Sequence, residues 1–173
     1  MTSLAFFTVL VALVGLERLA ELVVSKRNAA WSLEQGGFET GRGHYPAMVV
    51  LHTGLLVGML VEAWVVRPDV PALLAGVMLV LAVASQGLRW WCIRTLGRHW
   101  NTRVIVVPGL PLVRTGPYRF LSHPNYVAVV VEGVALPLVH AAWVTALVFT
   151  LLNAALLTVR LRAENTALAG VGA

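Results

Sequence analysis

The segment YPAMVVLHTGLLVGMLVEAWVV, running from Tyr45 to Val66, decides the fold, because its only formal charge is Glu62. A helix rises about 1.5 Å per residue, so about 20 apolar residues cross a hydrocarbon core about 30 Å thick. Lipid offers backbone groups no partner, so such a run must be helical. Arg67-Pro68-Asp69 closes it, and a second run follows from Pro71 to Ile93, with Pro71 suited to a helix's first turn. Upstream, Ser3 to Val24 starts without a basic cluster and ends at Ser25-Lys26-Arg27-Asn28 without a small-residue cleavage pattern, so a retained helix is expected, not a signal peptide. Downstream, Asn125 to Val159 is too long for one crossing and is interrupted near Pro137 to Ala142, which predicts a helical hairpin. The expectation is an all-α integral membrane protein with about five transmembrane helices, the last two a hairpin. Residues 1–173 read as one domain: a three-helix part over 1–93, then a loop, the hairpin and a polar C-terminal motif over 94–168.

Composition agrees, since 58% hydrophobic residues, 12% charged residues and a mean hydropathy of +0.80 lie outside the soluble globular range. Lys26, Arg27, Arg42, Arg94, Arg98, Arg103, Arg114, Arg119, Arg160 and Arg162, ten of the thirteen basic residues, fall in odd-numbered loops or after the last span. Only Arg67 marks the other side. Basic residues concentrate in short cytoplasmic loops, which puts these loops and the C-terminus in the cytoplasm of a multi-pass inner-membrane protein. Topology and attraction to anionic membrane lipid account for the net charge of +5, and no nucleic acid is expected. Trp90, Trp91 and Trp100 at one boundary and Trp64 and Trp143 at the other read as an interfacial belt. The lone Cys92 excludes an internal disulfide and reads as a small apolar filler. The final Ala169 to Ala173 is expected to fray. Scarce lysine beside abundant Ala, Val, Leu and Arg suggests a GC-rich bacterial genome.

There is no phosphate-cradling loop, no His-Glu-x-x-His and no Gly-x-Ser-x-Gly. His44, His52, His99, His123 and His140 are scattered without ligand spacing on one helix face, so no metal site is expected. Chemistry is sought in Arg94 to Asn125, whose Gly97, Gly109 and Gly116, with Pro108, Pro111, Pro117 and Pro124, forbid a continuous helix, while Val104 to Val107 suits a short extended piece. Within it, Thr115 to Tyr126 gathers Gly, Tyr, His, Pro and Asn against an apolar bundle. Pro124 suits the first turn of a helix whose free amides favour negative charge. Tyr118 and Tyr126 offer rings and hydroxyls to a ligand, or simply sit at the interface. Arg160 and Glu164, one turn apart, are either part of that site or an ordinary exposed pair.

At these residues the sequence resembles the isoprenylcysteine carboxyl methyltransferase family, membrane enzymes that use S-adenosylmethionine. The family pattern Gly-x-Tyr-x-x-x-Arg-His-Pro-x-Tyr, a helical hairpin and Arg-x-x-x-Glu-Glu is met by Gly116-Pro117-Tyr118, His123-Pro124-Asn125-Tyr126 and Arg160 with Glu164. The resemblance extends from Gly87 to Leu168 and takes in Leu96-Gly97-Arg98-His99-Trp100. Ser122 stands where the family has Arg, and Asn165 where it has the second Glu. The resemblance implies that Tyr118, His123, Pro124, Asn125 and Tyr126 contact the cofactor, with Leu110, Pro111, Leu112, Val113 and Arg103. It implies that Glu164 binds the cofactor and that Arg160 faces the acceptor as the catalytic residue. The N-terminal half, with Glu17-Arg18-Leu19-Ala20-Glu21 and Gly41-Arg42-Gly43-His44-Tyr45, is similar to bacterial members related to alkylpyrone O-methyltransferases. That implies O-methylation of a lipophilic acceptor with an acidic hydroxyl. Other readings are carboxyl methylation of a prenylated cysteine, an NADPH-dependent reductase of sterol-reductase type, and a non-enzymatic membrane carrier or assembly factor. The oligomeric state is not legible.

Charge inside a span is costly and marks function or pairing. Glu17, Arg18 and Glu21 are expected to pair internally or snorkel. Glu132 is read first as a structural group, bound to a neighbouring helix through Asn153, and second as a base. His52 and Glu62 are expected to hydrogen-bond between helices.

Overall fold

The computed structural model describes residues 2–171, which form five α-helices and one two-stranded sheet. The helices are α1 (Thr2–Glu34), α2 (Tyr45–Val66), α3 (Ala72–Leu96), α4 (Pro124–Leu138) and α5 (Trp143–Val171). The strands are β1 (Phe38–Thr40) and β2 (Val104–Val106), antiparallel with Glu39 opposite Ile105. Segments Arg42–Val66, Ala72–His99 and Trp143–Gly170 are long and apolar enough to cross a membrane, and α4 is a shorter apolar helix. The chain is an all-α membrane protein in its bulk, as the apolar runs require.

Several boundaries fall where the sequence places them. α2 spans the quoted segment, with Pro46 in its first turn and Arg67 as a left-handed C-cap. Pro124 opens α4, and the turn Val139 to Ala142 separates α4 from α5, so the hairpin is present. The first helix is ten residues longer than its apolar run, because residues 25–34 contain neither Gly nor Pro and the backbone keeps its hydrogen bonds after hydropathy has fallen. It ends only at Gln35-Gly36-Gly37, where Gly36 takes φ 80°. Ala169 and Gly170 remain within α5, whereas Gly172 and Ala173 of the expected frayed tail lie outside the described residues.

The core runs through Phe7, Val11 and Val14 of α1, Leu55, Met59 and Ala63 of α2, Ala135 and Leu136 of α4, and Phe149 of α5. The opposite, lipid-facing sides stay apolar and exposed, with Val50, Val65, Leu73 and Val80 among them. Trp64, Trp90, Trp91 and Trp143 are exposed as belt residues, but Trp100 is only 2% exposed and forms part of the core under the loop. That correction follows from Asn28, whose side-chain amide donates to the carbonyls of Gly97 (3.1 Å) and Trp100 (2.8 Å), pinning this turn to α1. Ser25 reinforces the clamp by accepting the Thr102 amide at 2.9 Å.

The ionisable groups within the helices pair. Arg89 donates from Nε and Nη2 to both oxygens of Glu21 at 2.7 Å. Arg18 lies 3.0 Å from Glu21, 3.3 Å from Glu17 and 3.5 Å from Glu132, and donates to Gln86 at 2.7 Å. Glu132 is therefore held by Arg18 and Gln86, with no hydrogen bond to Asn153. His52 bonds Met48 of its own helix and meets Phe149 edge-on, so only the ring contact crosses helices.

Glu62 does bond across helices. Its carboxylate accepts the amides of Val144 (2.9 Å) and Thr145 (2.8 Å) and the Thr145 hydroxyl (2.7 Å), capping the N-terminus of α5. A carboxylate there satisfies orphan donors and complements the helix dipole. Glu62→Ala is expected to cost about 1–2 kcal/mol, on the scale of a lost N-cap, read as a lower apparent melting temperature in detergent.

Candidate functional site

One end of the bundle carries the start of α2, the start of α4 and the last turns of α5. There the first turn of α4 projects Tyr126 between Arg160 and Glu164 of α5. The Tyr126 hydroxyl donates to Glu164 Oε2 and accepts from Arg160 Nε at 2.8 Å. A phenol can do both at once. His123 stacks on the Tyr126 ring, with centroids 5.4 Å apart and an 18° interplanar angle, and its Nδ1 lies 3.7 Å from Glu164 Oε1. The Arg160 guanidinium also sits 5.6 Å from the Tyr126 centroid. Arg160 and Glu164 are thus bridged by a tyrosine instead of forming an exposed pair, and Arg160 is only 7% exposed.

Two features of this group are electrostatically unfinished. Arg160 Nη1 faces the Met48 thioether at 2.8 Å, a weak acceptor, and no carboxylate among the described residues forms a salt bridge with it. A buried guanidinium without a counter-ion is costly unless an anion arrives. Next to it in sequence from Tyr126, Asn125 Oδ1 is buried with no hydrogen-bond partner. Such an orphan acceptor costs about 1–3 kcal/mol and calls for a donor.

Tyr118 comes from the 3-10 turn Gly116–Arg119, which rests on the end of α3. Gly116 is at φ 55°, and a Cβ there would lie 3.0 Å from Thr95 Cγ2 and 3.1 Å from Trp91 Nε1, so this close approach needs glycine. The turn brings the Tyr118 hydroxyl to the buried Cys92 thiol. Burial, followed by the neighbouring Cys92, Glu164 and Tyr126, pushes the Tyr118 hydroxyl well above the usual tyrosine range. It stays a neutral donor at any physiological pH.

The remaining sequence candidates sit apart from this group. Leu110, Pro111 and Leu112 are exposed and Val113 half-buried on the irregular segment after β2. Arg103 is drawn to Glu39 (3.3 Å) and lies 5.0 Å from the Tyr45 centroid, and no hydrogen bond or ion pair among the described residues links it to Tyr126, Arg160 or Glu164. Ser122 and Asn165, the two departures from the family pattern, are both exposed. Sequence reasoning missed β1, whose Glu39 collects Arg42 and Arg103, and missed Met48 and Arg89. For Arg89 a signal existed: a lone guanidinium within an apolar run requires a carboxylate from another span.

The model of the isoprenylcysteine carboxyl methyltransferase family matches residues 78–170, more than half of the chain. A Bacillus subtilis (strain 168) protein described as uncharacterized protein YpbQ is 36% identical over 162 residues, covering 94% of this chain and 96% of that protein. No solved structure matches. With the family model matching more than half of the chain, through both hairpin helices, the chain belongs to the isoprenylcysteine carboxyl methyltransferase family of membrane-associated methyltransferases.

Proposed function

We propose that this protein transfers a methyl group from S-adenosylmethionine to an acidic oxygen of a lipophilic acceptor, with an alkylpyrone-type lipid as the favoured class. The observation that carries the reading is Arg160, buried, cationic and without an anionic partner, beside a carboxylate and an orphan amide oxygen. The residues present suit the cofactor. The Glu164 carboxylate matches an ammonium group, Asn125 Oδ1 matches an amino or hydroxyl donor, and the Tyr118, His123 and Tyr126 rings offer faces to adenine. S-adenosylmethionine, when bound, supplies an electrophilic methyl group on sulfur.

The chain's own part is then positional. Arg160 holds the acceptor oxygen as an anion, in the bidentate manner open to a guanidinium. Tyr126, pinned by Glu164, fixes the Arg160 plane from below. Alignment of reactants alone supplies much of the rate when no bond to the protein forms. The basic loops support a cytoplasmic face for this site, five crossings of the inner membrane and lateral entry of the acceptor from lipid.

Equilibrium binding of S-adenosylmethionine to the detergent-purified protein tests the cofactor assignment. Wild type is expected to bind, Glu164→Ala to weaken binding by about 100-fold, as for a lost charged hydrogen bond, and Tyr118→Leu, which removes the ring face, by about tenfold. Absent binding by wild type, or equal binding by all three, would sink it. Labelled methyl transfer into lipid extracts, set against a prenylated cysteine acceptor, tests the substrate. Labelling of the latter alone would make the carboxylate reading correct.

A further inference from the structure

His44 is the last residue of the 3-10 turn Arg42–His44, where the chain enters α2. It is 9% exposed, and neither ring nitrogen has a hydrogen-bond partner among the described residues. The nitrogens are nevertheless not sealed off, as those of a fully enclosed unpaired group such as His140 Nδ1 are. An imidazole that is covered by its neighbours, unpartnered and still reachable is a group kept for something that arrives.

Its surroundings have been cleared for it. Gly41 sits at φ 65°, and a Cβ on it would lie 2.7 Å from His44 Nδ1 and 3.3 Å from the Ala163 methyl. Only glycine permits both the left-handed turn and the ring beneath it. Ala163 lies between Arg160 and Glu164 on α5, so the His44 ring shares Gly41 with the helix that carries the site. Met48, one turn further along α2, is the residue that touches Arg160. α2 leaves this end of the bundle and α5 returns to it, so moving from Met48 back to His44 parallels moving from Arg160 on to Ala163 and Glu164. His44 therefore lies on the rim, outside Arg160 and level with Glu164. The charged groups facing it are Arg160 of α5 and Glu39 of β1.

We infer that His44 is the general base of the reaction, taking the proton of an acceptor hydroxyl whose oxygen Arg160 holds. The inference rests on the methyltransferase reading and narrows its acceptor to a weakly acidic hydroxyl, since a carboxylate carries no proton to remove. The balance is complete. The O–H bond breaks with its pair left on oxygen and its proton on a ring nitrogen of His44; oxygen bonds the methyl carbon as the C–S pair stays on sulfur. The imidazolium then gives its proton to water at the rim. A neutral imidazole nitrogen is the ordinary proton acceptor near neutral pH.

The experiment compares wild type and His44→Gln for S-adenosylmethionine binding and for the pH profile of kcat/KM with a long-chain alkylphenol, whose hydroxyl keeps its proton at neutral pH. His44→Gln is expected to bind the cofactor within about twofold of wild type, to lose roughly 100-fold in kcat, and to lose the acid limb of the profile. A kcat within threefold of wild type, or an unchanged acid limb, would overturn the assignment while leaving the methyltransferase reading intact. Wild type that fails to bind the cofactor overturns both. A measurement on wild type alone guards against misfolding of the variant: two hydroxyl acceptors of different acidity should share one acid limb if it belongs to His44. A limb that moves with the acceptor overturns the inference.

Discussion

Arg160→Met is expected to leave the protein as stable as wild type or more so, while methyl transfer falls by 100-fold or more. The two halves of that result have one cause. Arg160 is buried with its Nε on a tyrosine and Nη1 on a thioether, and makes no direct ion pair among the described residues, Glu164 reaching it only through the Tyr126 hydroxyl. Removing an uncompensated buried charge removes its desolvation penalty, and methionine fills similar volume beside Met48. The guanidinium's contribution to an anionic acceptor is lost with it, which in a desolvated site is worth about 3 kcal/mol or more. Stability and activity trading against each other is the mark of a functional group that strains its surroundings. Thermal unfolding in detergent and single-turnover methylation check the pair. A melting temperature that drops by 5 °C or more together with activity would instead make Arg160 a structural residue.

Arg89→Met should do the opposite and lower the apparent melting temperature by about 10 °C or more. Arg89 makes two hydrogen bonds of 2.7 Å to Glu21, and both side chains are buried. Around them, among the described residues, Glu17, Glu21 and Glu132 share Arg18 and Arg89 alone, so losing Arg89 leaves three carboxylates facing one guanidinium. Breaking a buried pair by removing one partner costs about 3–5 kcal/mol. The double exchange Arg89→Met with Glu21→Met is expected to recover most of the loss, because the pair as a whole yields little net stability over packed apolar groups. A single variant that melts within a few degrees of wild type would show that the pair does not hold α1 to α3.

Much of this architecture was legible because lipid imposes it. α2 begins and ends where its apolar run does, and the hairpin breaks where Pro137 and the residues after it interrupt the pattern. Hydropathy measures the hydrocarbon, however, not the helix, and α1 continues ten residues past its apolar run. β1 gave no signal, since three residues after a Gly-Gly pair cannot display a period, and only β2, far along the chain, makes them a strand. Tyr118, His123, Tyr126, Arg160 and Glu164 were singled out by the family resemblance, and the fold brings Tyr126, Arg160 and Glu164 into contact. What no spacing conveys is that Tyr126 intervenes between Arg160 and Glu164, or that Met48 takes the place where a carboxylate would neutralise the arginine. Those are facts of the cross-helix approach of α2, α4 and α5. Trp100 misled for the same reason: its place at a boundary is one-dimensional, and the Asn28 clamp that buries its turn is not.

The family match begins at residue 78, inside the second turn of α3, yet Glu62 caps α5 and Met48 covers Arg160 from upstream of that point. The stretch that the family model covers is therefore smaller than the stretch that must fold together. A polypeptide started at residue 78 would hold all the signature residues and lack both the stopper on its last helix and the thioether that covers its arginine. Two half-chains, 1–69 and 70–173, would have to find each other in the membrane before either could work.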